Sequence, residues 1–459
     1  MSTRPTLYGA AARRVARDFP SFRDFVDDAL FDPRWGYYST GQVRFGEGGH
    51  YDTFPLALSP FFGRMVATYA HQRWRRAGRP ARFEICELGA GNGQLALDVL
   101  IAIDERAERG RDGAAFARAC RYRIIERSPS LIARQRQQLG PAARRVTWTR
   151  ADLSQRPARG APFAEHGLVF ANEVLDCLSH HKIVRARGGI PGVVFVVPVL
   201  DAAARIRRGT LRLLPGLQPH QRAVPRRALA RVFQNERLRH HLRFDEVVLP
   251  LQAVPGLHEF VWRQCPELFE HRARFKPYFA CPAIEPLIRH TARLYRRSEM
   301  LWIDYGASRK FHLTSGEAQR IFAGPPRSGA SVYRAPGLDD ITFLVDFSVV
   351  ATAAWDAGLQ VVFYGPQGEL ARRTRTVFDR AARDLILRCR LVSWLLAVAG
   401  VGPERAWRHT GLTWSAGEGG RVRDDVKRAV DEFAGKRSSN FKLMILGESR
   451  RRRRGGVQR

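Results

Sequence analysis

The residues able to do chemistry in this chain are a set of carboxylates and three glycines. Gly89, Gly91 and Gly93 alternate just after the short run Phe83–Leu88, and the acid Glu87 precedes them. Glycine lets a backbone turn sharply and come close to a ligand, because no Cβ intervenes. Leu95, Val99, Leu100 and Ile103 then fall on one helical face. A helix N-terminus therefore points at whatever lies over the glycines, and its N–H groups favour a negative group there. A dinucleotide fingerprint would need G-x-G-x-x-G, but Gln94 stands where the third glycine belongs, and no lysine follows to make a P-loop. The other candidate acids follow apolar runs: Glu126, Asp152, Glu173, Asp176, Asp304 and Asp346. Ionised carboxylates only accept hydrogen bonds, so they suit hydroxyls, amines and guanidinium groups. His180 and His181 are candidate bases, although tandem histidines are ordinarily just partly exposed.

These residues need elements to hold them. Phe83–Leu88 reads as a strand and Gln94 onward as its helix. Arg121–Glu126 reads as a second strand, Ser128-Pro129 as the cap of a helix to about Leu139, Arg145–Thr149 as a third strand and Gly167–Ala171 as a fourth. Alternating β and α predicts an α/β fold, a mostly parallel sheet covered by helices on both faces, with ligands past the carboxyl ends of the strands. Upstream, Ser21 caps an amphipathic helix to Phe31, and folded sequence is expected to begin near Ser21. Ser59-Pro60 reads as N-cap and first residue of another helix. From about residue 183 to 290 the alternation stops. That stretch holds β-like pieces at Val193–Leu200 and Thr210–Leu214 and reads as an inserted cap. The α/β pattern resumes with a helix from about Ala283, strands at Leu301–Tyr305, Asp340–Val345 and Leu359–Tyr364, helices over Phe347–Ala357 and Thr376–Ala399, and a last strand at Phe441–Leu446. The expected organisation is 1–80 as helical segment and cofactor cover, 81–182 and 291–449 as the core, 183–290 as the cap, and 450–459 as a disordered arginine tail.

The net charge of +32, from 76 Lys and Arg against 44 Asp and Glu over 459 residues, fits either an acidic partner such as nucleic acid or a GC-rich coding bias. The arginines are spread along the whole chain, which favours the second. Six cysteines without a C-x-x-C pair argue against zinc and for a reducing cytoplasm. No apolar run reaches membrane-spanning length, so no membrane insertion is expected. Arg4, Arg13, Arg14 and Arg17 imitate a mitochondrial presequence, which keeps the matrix as the alternative location.

Acid-x-G-x-G-x-G at a strand end is the pattern of class I S-adenosyl-L-methionine methyltransferases, whose cofactor offers a carboxylate to the helix end. Further segments together resemble the MidA-like (DUF185) family of such enzymes. They are Asp32-Pro33 with Gly36-Tyr37-Tyr38-Ser39, Ser59-Pro60 with Phe62-Gly63, Glu87–Gly93, Glu126-Arg127-Ser128-Pro129 with Leu131 and Gln135, Ala171–Asp176, Ile303–Gly306, Asp340-Ile341-Thr342 with Val345-Asp346-Phe347, and Phe441-Lys442. The resemblance implies a Rossmann-like methyltransferase fold with an N-terminal helical cover and a large mid-chain insertion, S-adenosylmethionine as cofactor, and a protein arginine nitrogen as acceptor. The chain departs from the family at Gly49-His50-Tyr51, at Cys177-Leu178-Ser179 and at Leu344. These positions are expected over the substrate, so the acceptor stays open.

Given that cofactor, Glu126 suits the ribose diol or a surface ion pair. Asp152 faces the adenine amino group or caps a helix, with Leu153 or Trp148 as apolar contact. Glu87 orients the glycine loop or meets the methionine ammonium. Asn172, Glu173 and Asp176 are the candidate catalytic residues; if a helix starts there, Glu173 and Asp176 share a face over the cofactor. First-turn acids can also serve only the helix dipole. Tyr37, Tyr38, Asp304 and Asp346 are candidate substrate-binding residues, with residues 32 to 58 as a glycine-hinged mobile cover. An RNA or small-molecule methyltransferase and a non-catalytic assembly factor that binds the cofactor are the rival readings.

Overall fold

A computed structural model describes residues 6–40, 43, 53–201, 221–270, 276–316, 320–323, 331–397, 418–433 and 441–448. The expected strand at Thr210–Leu214, the glycines at 41, 46, 48 and 49, and the tail from 450 lie outside the described residues. The chain divides into two compact units, one of residues 43–176, 285–306 and 350–459, the other of 1–42, 177–284 and 307–349. The expected boundaries differ from this. The helix after Ser59 belongs with the core, while residues 1–42 and 307–349 group with the insertion.

The first unit carries the α/β core. Its strands are β1 (Phe83–Leu88), β2 (Cys120–Glu126), β3 (Val146–Arg150), β4 (Ala164–Asn172), β5 (Tyr295–Ala307), β6 (Leu359–Pro366) and β7 (Phe441–Glu448). They lie side by side as β6-β7-β5-β4-β1-β2-β3. Strands β1 to β5 pair in parallel, and β7 runs antiparallel to both β5 and β6. This is the doubly wound order with one antiparallel strand slotted in. Its switch point falls between β1 and β4, where the chain leaves in one direction and returns in the other. All six residues of β1 are buried, as a central parallel strand with both faces covered requires.

Helices α1 (Phe61–Arg76), α2 (Gln94–Glu108), α3 (Arg111–Ala119) and α4 (Pro129–Leu139) belong to this unit. Ser128 Oγ caps α4 by accepting from Leu131 N at 3.3 Å, as its sequence signals. Ser59 does not cap α1. Its hydroxyl donates to Asp98 Oδ2 at 2.6 Å, and the helix begins after Pro60, one residue later than expected. Gly63 brings α1 and α2 together: a Cβ there would stand 2.4 Å from Asp98 Cβ. One core runs from Phe62, Met65 and Val66 through Ile85, Val99 and Phe170 to Leu443 and Ile445.

In the second unit a five-stranded antiparallel sheet is built around the long strand Pro191–Asp201, which pairs with His181–Arg185, Gln221–Ala223 and Leu242–Pro250. Tyr278–Ala280 adds to its edge. The expected strand at Asp340–Val345 is two short pieces, Ile341–Phe343 and Val345–Asp346. Ser21 Oγ caps the helix Phe22–Phe31 by accepting from Asp24 N at 3.2 Å, and Phe22, Phe25, Val26, Ala29 and Leu30 are buried as expected. Folded structure starts earlier than Ser21, with a helix at Gly9–Asp18. Only Ala12 and Val15 of that helix are buried, too few apolar positions to show as a periodic stripe.

Candidate active site

The glycine turn takes the conformation that its composition allows. Gly89, Gly91 and Gly93 have φ of 63°, 53° and 89°, in the left-handed region that costs any residue with a Cβ. Gly89 N donates to Ile125 O at 3.0 Å, tying the turn to β2, and Gly93 N donates to Ala90 O at 2.8 Å. Gln94 N donates to Asn92 Oδ1 at 3.0 Å as α2 begins.

Three acids flank this turn on β1, on β2 and after β3. Glu87 is buried and accepts from Tyr122 Oη at 2.6 Å. Burial pushes its carboxyl up to about 8; the Tyr122 hydroxyl opposes this, and the nearby charges of Glu126 and Asp98 add to it. Glu126 accepts from Ser128 N at 2.9 Å and from Gln135 Nε2 at 3.2 Å. Burial raises its carboxyl as well, against these hydrogen bonds. A carboxylate has about four lone-pair positions, so Glu126 keeps acceptor capacity for a diol. Asp152 Oδ1 accepts from Ser154 N at 3.0 Å and Ser154 Oγ at 2.5 Å, and its Oδ2 faces Arg127 at 3.3 Å. Those bonds are the turn-capping arrangement. Leu153 is buried, and its carbonyl accepts from His290 Nδ1 at 2.8 Å.

The second group lies past β4 and β5. Register pairs Leu88 with Ala171, so Asn172, which ends β4, and Glu173 and Asp176, which follow it, lie on the side of the glycine turn. Asn172 Nδ2 donates to Glu173 Oε1 at 3.1 Å. Its Oδ1 is buried and has no hydrogen-bond partner among the described residues. Glu173 has φ of 51°, uncommon for a residue with a side chain. Its N–H donates to Ile303 O at 2.9 Å. No helix starts here. Asp304 Oδ2 instead accepts from Leu175 N at 3.0 Å and Asp176 N at 3.2 Å, while Oδ1 accepts from Tyr305 N at 2.8 Å. This side chain from β5 holds residues 173–176 as a turn, so the expected shared helical face is replaced by a carboxylate-centred loop. Burial, then the charges of Asp176 and Glu173, hold the Asp304 carboxyl well above the ordinary range.

The remaining candidates lie in the other unit. Tyr37 and Tyr38 are buried, not displayed on a glycine-hinged loop. Their N–H groups donate to Ala29 O and Leu30 O, Tyr38 stacks on Phe31, and its hydroxyl meets Cys177 Sγ at 3.2 Å. Gly36 is a packing glycine, since a Cβ there would stand 2.5 Å from Asp32 N. Asp346 accepts from Tyr278 Oη at 3.0 Å and Ser348 N at 2.9 Å, with Arg309 Nε at 3.7 Å, an internal brace. His180 and His181 are buried, contrary to expectation, and burial pushes them down to about 3 and about 4.

The roles of two residues near the turn are not legible in the sequence, although Gln135 belongs to the segments that carry the family resemblance. Tyr122 puts its hydroxyl on Glu87. Gln135 lies between Leu131 and Leu139 on the buried stripe of α4; a polar residue at an apolar position was the available signal.

A family model described as "Putative S-adenosyl-L-methionine-dependent methyltransferase" matches residues 65–365, more than half of the chain. The chain belongs to the MidA-like family of methyltransferases. Among curated relatives of the family, the "Protein arginine methyltransferase NDUFAF7 homolog, mitochondrial" of Drosophila melanogaster is 29% identical over 39% of this chain and 42% of that protein. The "Protein arginine methyltransferase NDUFAF7, mitochondrial" of Danio rerio is 28% identical over 26% of this chain and 27% of that protein. The matched stretch therefore spans less than half the length of these relatives. A solved structure of a COG1565 superfamily member from Burkholderia thailandensis bound to S-adenosyl-homocysteine superposes with a TM-score of 0.57 at 20% identity, over 97% of this chain and 95% of that one. At that identity it shows the fold, Rossmann-like class I, in agreement with the strand order above. Among the described residues no helix is long and apolar enough to cross a membrane.

Proposed function

We propose that this chain transfers the methyl group of S-adenosyl-L-methionine to a protein side-chain nitrogen, arginine being the residue named for the fruit-fly and zebrafish relatives. The observation that carries the reading is the adjacency of two sites at the switch point: an acid-led glycine turn with three left-handed glycines, and the half-buried Asn172–Asp176 loop at the end of the neighbouring strand.

The residues fit the cofactor. Glu126 would accept from the ribose hydroxyls. The N-terminus of α2 would face the carboxylate, Glu87 the ammonium, and Leu153 with Trp148 the adenine. When bound, the cofactor supplies an electrophilic methyl on a sulfonium, and alignment of nucleophile, carbon and sulfur then supplies much of the rate. An arginine side chain arrives protonated and must be held by acceptors so that one nitrogen is presented. The buried Asn172 Oδ1 and the carboxylates of Glu173 and Asp176 are such acceptors, and either carboxylate can take the proton the nitrogen loses. Asp304 holds the loop and, with its raised carboxyl, keeps the group from carrying full negative charge before a cation enters. Among the described residues the six cysteines form no disulfide.

The test is incubation of the protein with methyl-labelled cofactor and a lysate from a strain lacking it. Label recovered as methylarginine in protein is the expected result. Label in RNA, which the net charge of +32 would favour, or in small molecules, would overturn the acceptor.

A further inference from the structure

The structure assigns Gln135 as the positioning residue of the cofactor site: its amide holds Glu126 and the glycine turn in one fixed relation to each other. This rests on the cofactor reading above. Gln135 is wholly buried. Its Nε2 donates to Gly91 O at 3.2 Å and to Glu126 Oε2 at 3.2 Å, and its Oε1 accepts from Trp148 Nε1 at 3.1 Å. The orientation of the amide follows from these partners. An indole can only donate, so it must meet the amide oxygen, and the NH2 group is left facing two acceptors. Both of its hydrogens are then in use.

One side chain thus bonds the turn after β1, the acid ending β2 and the tryptophan of β3. These segments would meet the methionine, ribose and adenine parts of the cofactor. The backbone of Gln135 is part of the same fit, because a Cβ on Gly93 would stand 3.1 Å from its Cα. Glu126 has a second bond from Ser128 N at 2.9 Å, but on the other oxygen. With Ser128 N on one oxygen and Gln135 Nε2 on the other, the rotation of the Glu126 carboxylate is set by the pair, and Gln135 supplies its side-chain half. A planar carboxylate accepts two vicinal hydroxyls only in one orientation, so the amide sets recognition of the ribose without touching it.

The experiment replaces Gln135 by methionine, which keeps chain length and removes the polar atoms. Affinity is measured by calorimetry for S-adenosyl-homocysteine and for its analogue lacking both ribose hydroxyls, with circular dichroism confirming the fold. Loss of a hydrogen bond to a charged group should weaken S-adenosyl-homocysteine binding about tenfold to a hundredfold, with little change for the dideoxy analogue. On a Glu126→Gln background, Gln135→Met should add little further loss. Equal weakening of both ligands, or full additivity with Glu126→Gln, would make Gln135 a general brace and overturn the inference. Gln135→Met binding as tightly as the wild type would overturn it too. A folded wild-type protein that does not bind S-adenosyl-homocysteine would overturn the cofactor reading and the inference with it. If Gln135→Met fails to fold, Gln135→Asn, which keeps the amide but shortens its reach, is put through the same two-ligand comparison with the same refuting outcomes.

Discussion

Exchanging Glu87 for glutamine should flatten the dependence of this protein's stability on pH. Glu87 sits on β1 with only 3% of its surface exposed. Burial moves its carboxyl from an ordinary 4.5 to about 8, despite the hydrogen bond from Tyr122, and Glu126 and Asp98 push the same way. The unfolded chain releases this proton near pH 4.5 and the folded chain near pH 8. Between the two the folded state holds one proton more, so the contribution to stability is complete below about pH 4.5 and is lost as pH rises to about 8. The slope is about 1.4 kcal/mol per pH unit. From pH 5 to 8 the wild type should lose up to about 4 kcal/mol through this group. Glutamine keeps an acceptor for the Tyr122 hydroxyl and has no proton to release. Carboxyls that do not interact with Glu87 act in both proteins and cancel in the difference, while the mutual repulsion with Glu126 and Asp98 is removed together with the Glu87 charge and counts as part of its effect. Urea unfolding at pH 5, 6, 7 and 8 gives the two profiles. The variant should gain on the wild type by about 2 to 4 kcal/mol across the range. A difference that stays constant from pH 5 to 8 would mean that Glu87 is already ionised at pH 5, and would refute the argument from burial.

Glu173→Gln and Asp176→Asn should leave affinity for S-adenosyl-homocysteine within a few-fold while turnover falls by roughly 10². Calorimetry and single-turnover assays separate the two, and a collapse of affinity would move these residues into the cofactor site. Gly63→Ala should destabilise the fold by about 1 to 3 kcal/mol in urea, because its Cβ would meet Asp98 Cβ at 2.4 Å and Val99 N at 2.9 Å. An unchanged midpoint would show that α1 and α2 separate without cost.

What could be read from the sequence was local. The strand, turn and helix around Gly89–Gly93 were legible because glycine accepts φ of 53° to 89° without the steric cost that a Cβ brings. The Ser128-Pro129 cap was legible because capping is decided within four residues. What escaped depends on partners distant along the chain. Glu173–Asp176 lacks a helix because Asp304, more than a hundred residues later, supplies a carboxylate to its N–H groups. Ser59 fails as a cap because Asp98 takes its hydroxyl. Gly36 looked like a hinge, yet its missing Cβ serves close packing against Asp32, and the neighbouring tyrosines are buried. The positioning role of Gln135 needs three strands and a helix in place before it exists.

Calorimetric titration of the intact protein with S-adenosyl-homocysteine, beside Gly91→Val, tests the central claim most directly. Gly91 has φ of 53° and, in the proposed cofactor site, would lie where the backbone approaches the ligand; valine resists that φ and would fill that space. The account predicts saturable one-to-one binding by the wild type and none by a Gly91→Val protein whose circular dichroism is unchanged. Equal affinity in the two folded proteins, or no binding by either, would contradict it.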